Sequence, residues 1–184
     1  ITHATRNLLL MLGVSLTGTC LTSCVTLFRI ATAHSTDVTN KSHLWGGYQP
    51  KENYLLLHKL FLTKEPGRWS PLPVLVPAGD AVGLGRGEFS APPSFEQWQS
   101  NRAEWKAVMG VVEAGTVIEV TGVRRWSGGW LYHVAQIQSG EFSGVEVNIL
   151  EMSREVGSAD GLDLLGPDPR LLKLVDSSTP SQPQ

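Results

Sequence analysis

The chain has 184 residues, room for one ordinary domain with tails. Its formal charge of −2 shows no basic excess, which argues against a nucleic-acid binder. The 2 cysteines, Cys20 and Cys24, both lie near the start, so the remainder holds no disulfide framework and no cysteine-based zinc site. The 19 glycines and 11 prolines are spread along the chain and favour a turn-rich β domain over a helical bundle. The 6 tryptophans fit either core anchors or surface contacts, and composition does not separate the two.

Residues 8–28 carry no charged side chain, and Arg6 and Arg29 flank them. A short positive segment followed by an apolar run reads as an export signal. Within the run stands Leu21-Thr22-Ser23-Cys24, an aliphatic residue and two small ones before a cysteine. This segment resembles the lipobox of bacterial lipoprotein signals. The resemblance covers only the first two dozen residues. It implies cleavage before Cys24, a diacylglyceryl group on its thiol and a membrane attachment in the bacterial cell envelope. Each buried CH₂ of such an anchor adds about 0.8 kcal/mol. Cys20 fits less well, because Thr17-Gly18-Thr19 lacks the aliphatic position. Val25-Thr26-Leu27-Phe28 stays apolar where mature lipoproteins turn polar, so an uncleaved transmembrane anchor and an ordinary secretory signal remain open. By resemblance to enterobacterial sorting, Val25 in place of Asp implies delivery to the outer membrane.

Residues 24–43, with the acylated cysteine at their head, are expected to form a flexible tether, since residues 30–42 are small and polar. The domain is expected over 44–175 and a Ser/Pro/Gln-rich disordered tail over 176–184. Trp45-Gly46-Gly47-Tyr48 is turn-like. The apolar runs Tyr54-Leu55-Leu56-Leu57 and Leu60-Phe61-Leu62 admit helix or strand. Their shortness and bounding turn residues favour two strands. The proline-rich stretch 71–77 should be extended and 78–91 a mobile loop. Ser94 with Gln97 forms a capping-box pattern. Phe95, Trp98 and Trp105 then share one face of a short helix over about 95–107, a stripe that fits core packing better than a ligand platform.

From Val108 to Leu150 the pattern is that of an antiparallel meander. Strands over 108–112, 116–126, 130–138 and 142–150 are joined by Glu113-Ala114-Gly115, Ser127-Gly128-Gly129 and Ser139-Gly140-Glu141. Ala114-Gly115-Thr116, the alternation Val117-Ile118-Glu119-Val120 and the hairpin Trp126-Ser127-Gly128-Gly129-Trp130 resemble the SH3-like barrels of bacterial exported proteins. The resemblance covers about a quarter of the chain. It implies a mainly-β fold, a small antiparallel barrel with one short helix, but no common ligand. Residues 170–175 read as a short helix or a closing strand.

Chemistry is sparse. A hydrolase base would be His58 or His133, and neither has a nucleophile or carboxylate beside it in the sequence. Asp160, Asp163 and Asp168 lack the ligand spacing of a calcium loop, and His34 and His43 lack metal-ligand spacing. Gly83-Leu84-Gly85-Arg86-Gly87 has no Walker lysine and reads as a loop. No cofactor is implied. A candidate ligand surface is Arg124, Trp126, Trp130 and Tyr132, aromatic and basic residues around the hairpin. The plainer reading is a cross-strand Trp126–Trp130 pair that stabilises the turn. The expectation is therefore a non-enzymatic binding or scaffold module, held to a membrane by its N-terminal lipid. It faces the periplasm or the exterior, with an envelope protein or peptidoglycan as partner. The alternatives are an envelope hydrolase or its accessory subunit, and a single-pass subunit of a membrane complex.

Overall fold

A computed structural model of the chain describes residues 35–64, 71–79 and 93–175. The chain divides at Ser35 into two units, and the first, Ile1–His34, lies outside the described residues together with Cys20, Cys24 and His34. So do most of the expected loop 78–91 with its glycine run, and the tail 176–184.

The second unit is mainly β, as expected. Its strands are β1 (Ser35–Asp37), β2 (Asn53–Leu56), β3 (Leu60–Thr63), β4 (Val74–Pro77), β5 (Val108–Val112), β6 (Val117–Trp126), β7 (Leu131–Ile137), β8 (Glu146–Asn148), β9 (Ser153–Ala159), β10 (Leu162–Pro167) and β11 (Leu172–Leu174). One α-helix, α1 (Phe95–Ser100), occurs among the described residues. The folded unit starts earlier than composition implies. Ser35–Asp37 pairs with β6, and Val38, Leu44 and Trp45 are buried, so residues 35–43 belong to the domain and not to a tether.

The main sheet runs β11-β2-β6-β7-β8-β4-β3-β5, with β1 also on β6, and β9-β10 forms a separate hairpin. Strands β6, β7 and β8 form the expected meander. β5 and β6 do not pair with each other, contrary to the meander reading. β5 pairs with β3 while β6 pairs with β2. The register explains why. Leu55↔Val117 and Leu60↔Val112 belong to one alignment, so β2–β3 and β5–β6 are two long strands of a single ribbon bent at residues 57–59 and 113–116. The bend is held by Gly115 N–H on the Leu56 carbonyl at 2.8 Å, Leu56 N–H on the Thr116 carbonyl at 2.9 Å and a Lys59–Glu113 ion pair at 3.1 Å. One parallel pairing, Val74↔Asn148, makes the sheet mixed. The expected fourth strand, 142–150, shrinks to Glu146–Asn148, because residues 141–144 turn and Leu150–Met152 coils into a short 3-10 helix.

The main core takes inward residues from β2 (Leu56), β3 (Leu60, Leu62), β4 (Leu75), β5 (Val112), β6 (Ile118, Val120, Val123), β7 (Ala135, Ile137), β8 (Val147) and β11 (Leu172). Strands so widely separated in the sheet order can share one cluster only if the sheet curls around it. In β6 the inward residues change phase between Val120 and Val123, and an irregularity in the ladder at Thr121 keeps both apolar positions on the inner face. Phe142, from the turn before β8, lies on Gly110 of β5. A Cβ there would stand 2.5 Å from Phe142 Cζ.

Two smaller layers cover the outside. Strands β3 and β4 are buried on both faces because α1 packs on them, with Phe61 4.6 Å from Phe95 and 5.5 Å from Trp98, centroid to centroid. The capping box forms as expected: Gln97 N–H donates to Ser94 Oγ at 3.1 Å and Ser94 N–H to Gln97 Oε1 at 2.9 Å. The helix stops at Ser100, short of the expected 107, where Asn101 leaves helical geometry and its side chain donates to Glu104. Trp105 still reaches the same cluster. The β9–β10 hairpin turns at Asp160-Gly161, both at positive φ (52° and 70°), the geometry of a two-residue type I′ turn. Its Leu165 joins Tyr132, Val134 and Leu150 on the outer side of β7.

Candidate functional site

The β6–β7 hairpin carries the candidate surface. Trp126 N–H donates to the Trp130 carbonyl at 2.7 Å and Gly129 N–H to the Trp126 carbonyl at 2.9 Å. Gly129 sits at φ +92°, a left-handed position that only glycine occupies at low cost. Val123 and Leu131 face the core, so the alternation of the strands puts Arg124, Trp126, Trp130 and Tyr132 together on the outer face. They differ in depth. Trp130 is 48% exposed, Arg124 and Trp126 are half-buried, and Tyr132 is only 3% exposed, within the cluster of Leu150 and Leu165. Tyr132 thus leaves the candidate surface. Its local sequence alternates as its neighbours' does, and the packing of Leu165 from the β9–β10 hairpin together with Leu150 removes it from water. Arg125, on the opposite face, is exposed.

β1 borders this face, with Ser35 opposite Trp126 and Asp37 opposite Arg124. The Asp37 carboxylate accepts Thr39 N–H at 2.8 Å, and that bond, with help from Arg124, holds it below the usual carboxylate range. Sequence reasoning missed Ser35 and Asp37, since three polar residues give no strand signal of their own.

His133 lies on the inner face, fully buried. Its Nε2 is 3.0 Å from the Trp45 carbonyl oxygen, which can only accept, so Nε2 carries the proton and Nδ1 is the acceptor nitrogen. Nδ1 has no hydrogen-bond partner, and the ring packs 4.3 Å from Tyr48. Burial pushes the imidazole pKa down to about 4, so it is neutral at pH 7. Tyr48 OH lies 2.9 Å from Ser153 Oγ, which donates to the Ile149 carbonyl at 2.9 Å, and burial raises the phenol well above its ordinary value. The alternative reading of His133 as a hydrolase base does not fit this geometry, because the ring reaches neither solvent nor a carboxylate. His58 is exposed at the bend between β2 and β3.

The three aspartates do not converge. Asp160, on the β9–β10 turn, is 2.8 Å from His43 Nε2. Asp163 is exposed on β10, and buried Asp168 accepts Arg170 Nη2 at 2.6 Å and Arg170 N–H at 2.9 Å. The Arg170 guanidinium holds the Asp168 carboxyl below its usual range. Among the described residues no three His, Cys, Asp or Glu side chains are placed to hold a metal ion.

Fold and face together define a mainly-β domain with an aromatic and basic hairpin at the point where its chain begins. No protein-family model, curated protein or solved structure matches the chain. Among the described residues no helix is long and apolar enough to cross a membrane.

Proposed function

We propose that the chain is a bacterial lipoprotein. Its acylated Cys24 tethers a non-enzymatic binding module, shaped like the SH3-like barrels, in the cell envelope, facing the periplasm or the exterior. The observation that carries this reading is Leu21-Thr22-Ser23-Cys24 at the end of an uncharged apolar run. The outer face of the β6–β7 hairpin serves as the contact surface. The curled sheet around one core supports the barrel likeness.

Mass spectrometry of the protein purified from bacterial membranes tests the reading. A mature N-terminal peptide starting at Cys24 and carrying acyl chains is expected. Cys24→Ala, or growth with the signal-peptidase inhibitor globomycin, should leave the leader uncleaved. A native protein with its leader intact and both thiols free would sink the lipoprotein reading in favour of an uncleaved anchor.

A further inference from the structure

We propose that His133 is an acid-released latch. Its buried imidazole clasps the segment 38–48 against the core, and protonation of the ring's free nitrogen lets that segment lift while the sheet stays folded. The latch does not depend on how the chain is anchored.

The segment is built to come away as a unit. It contains no strand, only a 3-10 turn at Ser42–Leu44. Many of its backbone bonds are internal: Lys41 N–H donates to the Val38 carbonyl, Leu44 N–H to Lys41, Trp45 N–H to Ser42 and Tyr48 N–H to Trp45. Val38, Leu44, Trp45 and Tyr48 are buried, whereas residues 40–43, 46 and 47 are exposed, so at Trp45 one thickness of chain separates His133 from water. At its start the segment is fastened by Val38 and Thr39 to Val123. At its end Gly47 N–H donates to the Leu165 carbonyl, and Tyr48 OH meets Ser153 Oγ. Between these ends His133 Nε2–H donates to the Trp45 carbonyl at 3.0 Å, with the ring centroid 4.3 Å from Tyr48 and 6.1 Å from Trp45.

Protonation acts on the middle fastening. Nδ1 is buried without a hydrogen-bond partner, so an imidazolium would put both a charge and an unmet N–H donor in a dry site. The elements around the ring supply no countercharge. Val123 of β6 stands opposite it on one side and Ile149 bonds to its backbone on the other. From the segment itself Tyr48 faces it, a phenol that burial keeps neutral. Neither buried carboxylate, Glu151 or Asp168, acts on the ring, and Asp168 is held by Arg170. Burial keeps the folded imidazole near 4 against 6.5 for a wetted ring, so openings that expose it become more favourable as pH falls below 6.5. The segment is the neighbour that yields, because the others are strands and core. The exposed His43–Asp160 contact at 2.8 Å pulls the other way, since a protonated His43 is attracted to the carboxylate, but an exposed pair is weak.

The experiment is hydrogen–deuterium exchange of the full-length protein in detergent, read by NMR at about pH 7 and about pH 5. Each rate is divided by that of an unstructured amide at the same pH. Protection of the Gly47 and Tyr48 N–H should fall about tenfold or more between the two conditions. The Val120 and Ile137 N–H, bonded to the Glu52 and Val145 carbonyls within the sheet, should stay better protected at both. His133→Gln should remove most of the fall in the segment. His43 and Asp160 are unchanged in that variant, so a small remaining pH dependence belongs to their pair. Protection of Gly47 and Tyr48 that does not change with pH overturns the proposal. So does protection equal to that of Val120 and Ile137 throughout, which would mean that the segment opens only with the whole domain. Both results are read on the wild type and need no variant. A fall that persists undiminished in folded His133→Gln overturns the assignment to this histidine.

Discussion

The Thr39 hydroxyl bridges both backbone groups of Val123: it accepts Val123 N–H at 3.0 Å and donates at 3.4 Å to the Val123 carbonyl, which also accepts Val38 N–H at 3.0 Å. For the Val123 N–H a side chain thereby replaces a strand partner at the irregular stretch of β6, between the segments paired with β2 and β1. Gly122 permits it, because a Cβ at that residue would stand 2.7 Å from Thr39 Oγ1. Thr39→Val keeps the shape and strands the Val123 N–H, at a cost of about 1–2 kcal/mol. Thr39→Ser should recover most of that loss. Urea midpoints of the three proteins decide it, and a Thr39→Val midpoint equal to wild type would refute the bridge.

His133 makes stability depend on pH. The unfolded chain binds the imidazole proton near the ordinary value of 6.5, whereas the folded protein resists it until about 4. The unfolded state therefore holds more protons in that window, and stability falls as pH drops from 6.5 towards 4. The contribution, on the order of 3 kcal/mol, is fully present above 6.5. His133→Gln keeps a donor for the Trp45 carbonyl and removes the titration. Its urea-unfolding free energy should vary less than that of wild type between pH 7 and pH 4, and parallel curves would contradict the assignment.

Gly46 should not tolerate a side chain. It sits at φ +60°, and an added Cβ would run into the Leu165 carbonyl oxygen of β10. Next to it, Gly47 donates its N–H to that same carbonyl at 3.0 Å. Gly46→Ala meets both left-handed strain and a backbone clash, so a loss of at least about 2 kcal/mol is expected. Hydrogen exchange should show the β9–β10 hairpin loosening first. Unchanged protection there would count against the packing of this hairpin on the Trp45–Tyr48 turn.

The helix-side layer depends on Phe61, which is fully buried between Phe95 and Trp98. Phe61→Ala opens a cavity in a small cluster and should cost about 3–5 kcal/mol. Phe61→Leu should cost appreciably less. Thermal unfolding monitored by circular dichroism separates the two, and equal losses would mean that the layer depends on the ring contacts and that apolar burial alone recovers nothing.

Much of the architecture was legible. The β2, β3, β6 and β7 runs announce themselves by alternation or by short apolar blocks between turns, and the Ser94–Gln97 box marks the start of α1 correctly. The Asp160-Gly161 turn carried a signal too, an Asp-Gly pair before Leu162, in a stretch weighed above only for its aspartates. The candidate face was half legible. Period-two spacing puts Arg124, Trp126, Trp130 and Tyr132 on one side of the hairpin, yet nothing in it says that Leu165 will bury Tyr132.

Local pattern by itself marked β2, β3, β6 and β7 as strands, placed the turn of the β6–β7 hairpin, and put Phe95, Trp98 and Trp105 on a common apolar face. These are choices made within a few residues, by side-chain period and backbone preference. Which strands become neighbours was decided only in three dimensions. β5 leaves β6 for β3 because the bent ribbon keeps its register through Leu57-His58-Lys59, and β1 settles beside Trp126 because Thr39 and Val38 bond to Val123. Such pairings join residues tens of positions apart, and they are selected by the burial of a shared core and the satisfaction of backbone groups, neither of which leaves a mark on a single stretch of chain.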